Sequence, residues 1–412
     1  MIQVNSYRLS NGLRLLHHQD AATKMIALNL LYDVGSRDEQ VGKTGLAHLC
    51  EHLMFSGSTN APSFDALLQD AGGFSNAWTN TDWTNFYDVI PSVNVETAFW
   101  LESDRLINLN LNDERLKNQK SVVIEEFKQR RINVPYGDIT HLVCDLAYKV
   151  HPYRWPTIGV SLEDIQGLTQ EDAEAFFNAH YSVDRLVMCV SGDITFEKAV
   201  ELTEKWFGDI KPRVIAERNL PVEPEQTEQR IVTVERDVPQ NAVYYVYHMC
   251  GRKSEDYQAC DLLSDILSNG KSARFYQNII MKKGLFTELD ASITGTVDPG
   301  CFVIRGFMSD GVTFDVAEKA IDEELSSLLT GGVSQYEITK FANKYLSNFL
   351  FDNVGYDDKA TTLCKYEMLS KASDVNEEIE KYRSLTPEKI AEVAKKVLKS
   401  SNCSILRYSR KV

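Results

Sequence analysis

Two histidines, His48 and His52, bracket Leu49, Cys50 and Glu51 in a single short run. On a helix, positions i and i+4 share a face, so both imidazoles can aim at one point. Two imidazoles are good zinc donors. A carboxylate from elsewhere in the chain would complete three protein ligands, with a fourth position open to water. Glu51 lies three residues after His48 and beside His52, where it can flank that water without ligating. This is the chemistry of the H-E-x-x-H zinc helix with the order reversed. The neighbours Leu46, Ala47, Leu49, Cys50, Leu53, Met54 and Phe55 are apolar, so the pair does not sit on a solvated helix. Burying two histidines and a glutamate there costs several kcal/mol unless something satisfies them, and a metal does so.

The elements that must hold this run can be read on either side of it. Met25–Val34 (MIALNLLYDV) reads as a buried strand ending at Gly35, and Gly45–Phe55 as a helix stopped by Ser56-Gly57. Tyr7–Leu16 is a strand broken by the hairpin dipeptide Asn11-Gly12. Phe64–Ala71 is a short helix, Phe74–Asn80 and Asn85–Ile90 are paired strands, and Asn94–Ile107 and Asp113–Arg131 are longer helices. A similar order returns later: strand Asn241–Met249, helix Tyr257–Ser268, strands Thr287–Thr296 and Cys301–Met308. Aligning Asn269-Gly270 with Ser56-Gly57 sets Asp261, Ser264 and Asp265 against His48, Glu51 and His52, so the second half repeats the scaffold without the histidines. The aperiodic stretch Lys211–Gln229 marks the boundary. The expected organisation is α+β: two similar domains, each a mainly antiparallel sheet with helices packed on one face. Residues 1–212 form the first, 213–229 a linker, and 230–412 a second domain without metal ligands.

Composition narrows the function classes. The 412 residues carry 44 Lys plus Arg against 59 Asp plus Glu, a net charge of −15, which argues against nucleic acid as a partner. With 43% hydrophobic and 25% charged residues the chain is of ordinary globular composition. No apolar run is long enough to span a membrane and no signal peptide is visible. The eight cysteines form no C-x-x-C pair, the usage of buried free thiols in a reducing compartment, so a cytoplasmic location is expected. His17-His18 is expected in an exposed turn. His141, His151, His180 and His248 lack metal spacing, and Cys50 is expected to pack rather than ligate.

Longer blocks carry a specific resemblance. TGLAHLCEHLMFSGS (44–58), GGFSNAWTNTDWTNFYDV (72–89), HPYRWPTIG (151–159) and NGKSARFYQNIIMKKGL (269–285) resemble the pitrilysin (M16) metallopeptidase family, the inverted zincins that include insulin-degrading enzyme and mitochondrial processing peptidase. The length resembles the half-size members. The resemblance implies a LuxS/MPP-like metallohydrolase fold and a zinc endopeptidase acting on extended or unfolded peptides. It also implies assembly in pairs, as a homodimer or a heterodimer with a similar chain, so that four domains enclose a chamber. The family's third ligand is a Glu on a later helix, where KSVVIEEFKQRR (120–131) offers Glu125 and Glu126. Helical periodicity supports either, since Val122 and Val123 are both apolar. The family's order of apolar run, variable residue and ligand selects Glu126. Another acid often stands seven residues earlier, where this chain has Gln119. Zinc on His48, His52 and Glu126 would then activate water, with Glu51 as general base.

By the same resemblance Phe74–Asn80 is an edge strand that binds peptide by extending the sheet, with Asn76 and Ala77 as the main contacts. Trp78 and Trp83 are as well explained by core packing as by a pocket. One feature departs from the family. Active members place an Arg and, seven residues later, a Tyr in the second domain, and ungapped alignment puts Ile280 and Thr287 there. That mismatch implies a peptide-binding or weakly active subunit that depends on a partner chain for its clamp.

Overall fold

Short runs rich in apolar residues make most of the eleven strands found among the described residues, 1–215 and 217–411 of the computed structural model. Six strands form one sheet: β1 (Asn5–Arg8), β2 (Arg14–Gln19), β3 (Met25–Tyr32), β4 (Phe74–Thr79), β5 (Thr84–Pro91) and β6 (Leu186–Gly192). Their order is β1-β2-β6-β3-β5-β4, which leaves β4 at an edge. Every pair is antiparallel except β2 with β6. The other five, β7 (Arg230–Arg236), β8 (Ala242–His248), β9 (Phe286–Ile293), β10 (Cys301–Met308) and β11 (Cys403–Arg410), are ordered β7-β11-β8-β10-β9. There only β7 and β11 run parallel. The two sheets with their helices give the expected α+β class.

Each sheet is covered on both faces. In the first, Ile26, Leu28, Leu30 and Tyr32 of β3 join Met188 and Val190 of β6 in the main core with Leu49, Leu53, Phe99 and Phe207 from helices. The intervening Ala27, Asn29, Leu31, Val187 and Cys189 are equally buried. They face the helix Tyr356–Leu369, whose Thr361 Oγ1 donates to Asn29 Oδ1 at 2.9 Å and whose Cys364 Sγ lies 3.6 Å from Val187 O. In the second sheet the residues on the face away from its main core, Ala242, Tyr244, Leu406 and Tyr408, pack with Leu146 of the helix Ile139–Ala147. Strands apolar in both alternations need cover on both sides. The helices expected on one face are therefore joined by one more on the other.

These covering helices change the division of the chain. One compact unit comprises Met1–Gln129, Trp155–Leu220 and Phe349–Glu377; the other comprises Arg130–Arg154, Pro221–Asn348 and Glu378–Val412. The segments 130–154 and 349–377 thus pack with the half of the chain opposite to the one expected for them. The expected linker 213–229, of which residue 216 lies outside the described residues, is held at Arg218 and Glu223. Arg218 pairs with Asp33 at 3.0 Å and Asp38 at 2.7 Å in the first unit. In the second, the Glu223 carboxylate accepts from the backbone N–H of Lys149, Val150 and His151 at 2.7, 2.9 and 2.9 Å.

His17 corrects another expectation. It lies inside β2, fully buried, with Nε2 2.9 Å from Ile194 O and its ring against Phe196, so it is part of a strand and not of an exposed turn. No helix among the described residues is long and apolar enough to cross a membrane.

Candidate metal centre

The histidines lie on the helix Leu46–Phe55, whose entry is set by close backbone packing. Gly45 precedes it at φ +86°, and a Cβ there would lie 3.0 Å from Ile158 O. Gly159, at φ +98°, returns the approach: its Cβ would lie 3.0 Å from Thr44 O. The block 151–159 therefore earns its glycine by packing against the start of this helix. Thr44 Oγ1 donates to Asp164 Oδ2 at 2.6 Å and accepts from Val160 N at 2.8 Å. Glu39 lies buried under the first turn, its carboxylate accepting from Gly45 N at 3.0 Å and Ala47 N at 2.8 Å. Burial pushes the Glu39 carboxyl well above the usual range, against the downward pull of those two amides. Such N–H groups at a helix start need acceptors, and Glu39 supplies them from the turn just before the helix. Gly45→Ala is expected to lower stability by about 1–3 kcal/mol, the scale for a side chain forced into the left-handed region. A urea midpoint equal to that of the wild type would contradict this.

Glu126 comes from the helix Asp113–Phe127. Its Oε2 lies 3.6 Å from His48 Nε2 and 3.5 Å from His52 Nε2, and the three donor atoms fall within 4.8 Å of one another. The imidazoles meet edge to face, with centroids 4.8 Å apart. Ligand atoms around a tetrahedral zinc with bonds of ~2.0–2.1 Å stand about 3.3–3.5 Å apart, so this donor set fits that ion. Two imidazoles and one carboxylate also make the composition of a zinc site that keeps a position for water. The His52 and Glu126 side chains keep 22% and 20% of their surface exposed, which leaves the point reachable. Burial draws the His52 pKa down, but the hydrogen bond that its imidazole donates to Glu126, the charges of Glu51 and Glu126, and a hydrogen bond with Gln119 outweigh it and leave it raised. Gln119, where the acid is missing, therefore still meets a histidine, as a neutral amide. Glu125 points elsewhere: it is exposed and pairs with Lys128 at 2.6 Å.

Glu51 is buried on the same helix, and Thr79 Oγ1 donates to its Oε2. Thr79 ends the edge strand β4, so one hydroxyl ties the carboxylate to that edge. Thr79 was not legible as a site residue; a lone Thr in a strand gives no signal until the strand is placed beside the helix. On β4, Asn76 is exposed and Ala77 partly buried, and Asn76 Oδ1 accepts from Ala77 N at 2.8 Å. Trp78 lies under Lys365 Nζ, 5.0 Å from the ring centroid, and Trp83 is buried. Burial pushes the Cys50 thiol up, as suits a packing residue. Ile280 packs against the second unit's core, and Thr287 Oγ1 accepts from Gln240 Nε2 at 3.0 Å.

Comparison with known proteins agrees with this architecture. The sequence model described as Insulinase (Peptidase family M16) matches residues 14–150, and that described as Peptidase M16 inactive domain matches residues 167–345. The chain is 28% identical over 404 residues to the zinc protease PqqE of Helicobacter pylori, covering 96% of this chain and 90% of that protein. It is 23% identical over 408 residues to an uncharacterised zinc protease, YmxG, of Bacillus subtilis, covering 96% and 95%. Among solved structures, a protease from Helicobacter pylori superposes with a TM-score of 0.92 at 28% identity, covering 99% of this chain and 100% of that one. Matches of both kinds run through both halves of the chain, and the relatives are named zinc proteases of similar length. This chain belongs to the M16 peptidase family.

Proposed function

We propose that this chain is a zinc-dependent endopeptidase for extended or unfolded peptides, with His48, His52 and Glu126 as metal ligands, Glu51 as general base and β4 as the substrate strand. The observation that carries it is the convergence of the three donors beside Glu51, itself joined to the sheet edge through Thr79. Zinc held there supplies Lewis acidity, lowering the pKa of a water towards ~7 and polarising the scissile carbonyl. Glu51 takes the proton of the attacking water at Oε1 while Thr79 Oγ1 holds Oε2, and it then delivers that proton to the leaving amine. An extended peptide adds to β4 through main-chain hydrogen bonds, with Asn76 and Ala77 as its contacts. Docking at Ala77 N–H displaces the Asn76 side chain that now occupies it. The catalytic unit is Met1–Gln129 with Trp155–Leu220 and Phe349–Glu377, which holds His48, Glu51, His52 and Glu126. The unpaired thiols of all eight cysteines favour a cytoplasmic location. The test is hydrolysis of a mixed peptide digest with zinc loaded and with zinc removed by chelation; equal cleavage in both refutes the assignment.

Ile280 and Thr287 favour a second, dependent form of the same reading. Ile280 cannot donate to a peptide carbonyl, and the Thr287 hydroxyl is engaged with Gln240 and with Phe307 O at 3.3 Å. Donors aimed at a developing oxyanion are worth a few kcal/mol each in a water-excluded site. Alone, the chain is therefore an inefficient peptidase, and a similar chain bearing Arg and Tyr restores the rate by closing a chamber with it. Purified chain is assayed with and without candidate partners after its mass in solution is determined. Full turnover by the lone chain or its homodimer refutes the partner requirement and leaves the zinc assignment standing.

A further inference from the structure

The second unit holds two neighbouring thiols outside the proposed peptidase site. Cys250 follows the end of β8 and Cys260 lies on the helix Tyr257–Ser268, their Sγ atoms 4.0 Å apart. Both line a cavity of about 400 Å³ that His248, Met249, Lys396 and Asn402 also border. Cys250 is partly exposed to it and Cys260 is buried behind. No third His, Cys, Asp or Glu joins the pair at ligand distance, since the only such group among the described residues is His48, His52 and Glu126. Two adjacent thiols without a further ligand suit sulfur exchange better than metal binding.

We propose that Cys250 and Cys260 form a thiol–disulfide exchange site, with Cys250 as the attacking thiol, Cys260 as the resolving thiol, and a small disulfide entering the cavity as co-reactant. The hydrogen bond shared with Cys260, in which either sulfur can donate, pulls the Cys250 thiol down to about 7, helped by Ser254 and the Lys396 charge and opposed by its burial and the Asp256 charge. The same contact and burial push Cys260 up, and Cys250 is the more exposed of the two, so Cys250 is the thiol placed to attack. A thiol with a pKa near ambient pH is the best attacker, combining thiolate fraction with nucleophilicity. The other cysteines differ. Cys144, also partly exposed, is pushed up to about 12 by burial. Cys189 and Cys364 form a second thiol pair, but both are fully buried.

The exchange balances in two steps. The Cys250 thiolate attacks one sulfur of the small disulfide; a bond to Cys250 Sγ forms, the reagent's S–S bond breaks, and one small thiolate leaves. Cys260 then gives its proton to that base or to water, and its thiolate attacks Cys250 Sγ, expelling the second small thiolate. Two protein thiols are oxidised to one disulfide and the reagent is reduced to two thiols.

The full chain, first reduced, is treated with oxidised glutathione at neutral pH, and its mass and cysteine peptides are followed. Wild type is expected to lose two hydrogens, retain no glutathione, and yield the Cys250–Cys260 cross-linked peptide, with Cys250 reacting at least about tenfold faster than Cys144. Cys260→Ala is expected to stall with one glutathione on Cys250, and Cys250→Ala to leave Cys260 reduced. Glutathione retained on Cys250 in wild type, first reaction at another cysteine, or no reaction would overturn the proposal. If Cys260→Ala does not fold, the wild-type peptide map decides alone: the cross-link supports the site and its absence refutes it.

Discussion

Glu51→Gln is expected to keep the fold and bind zinc like the wild type, while losing roughly 10²–10⁴-fold in peptide turnover, the scale for removal of a general base. The substitution is nearly isosteric, and an amide oxygen can still accept from Thr79 Oγ1, so the edge strand and helix stay joined. What is lost is the capacity to take a proton. Glu51 lies beside the three converging donors without belonging to them, which is why metal content and activity should separate. Both are measured on one preparation, zinc by elemental analysis and turnover on the mixed digest. Activity within about threefold of wild type would remove Glu51 from the role of base.

Glu126→Gln should fail in the opposite way, through the metal. A neutral amide is a much poorer zinc donor than a carboxylate. Even groups that only orient zinc ligands are worth about 10–100-fold in affinity, so loss of a ligand should cost at least that. Glu125→Gln is the control, because Glu125 is exposed and engaged with Lys128. Chelator competition on the three proteins decides. If Glu125→Gln weakens zinc and Glu126→Gln does not, the ligand set is wrong by one residue.

Those adjacent glutamates show where sequence reading stops. Apolar spacing indicated the helix but not its rotation, since Val123 is buried and Val122 exposed and both are valines. Only the packing of that helix against its neighbours turns Glu126 inward. The histidine run was legible because its chemistry is local, five consecutive residues on one helix. Most strands were legible for the same reason, their short apolar runs bounded by turn residues being local as well. His17 was misjudged because β2 runs on past the last aliphatic residue, and a buried imidazole bonded to Ile194 O looks polar in sequence. Thr79 had no sequence signal because its role depends on a helix distant in the chain, and Glu39 none because only the folded turn aims its carboxylate at Gly45 N and Ala47 N. The covering helix Tyr356–Leu369 escaped in a different way: its apolar residues show that it packs, but not on which sheet.

That helix also imposes an order on biosynthesis. The sheet beneath the histidines is translated early, yet Ala27, Asn29, Leu31, Val187 and Cys189 find their cover only in residues 349–377. A nascent chain leaving the ribosome therefore exposes one apolar face of that sheet until residues 349–377 have followed. Domain-by-domain folding from the N-terminus, the usual course for a two-domain chain, is closed to it. A fragment ending at the midpoint would carry His48, Glu51, His52 and Glu126 together with a bare sheet face. Such a fragment is a client for chaperones rather than a miniature enzyme.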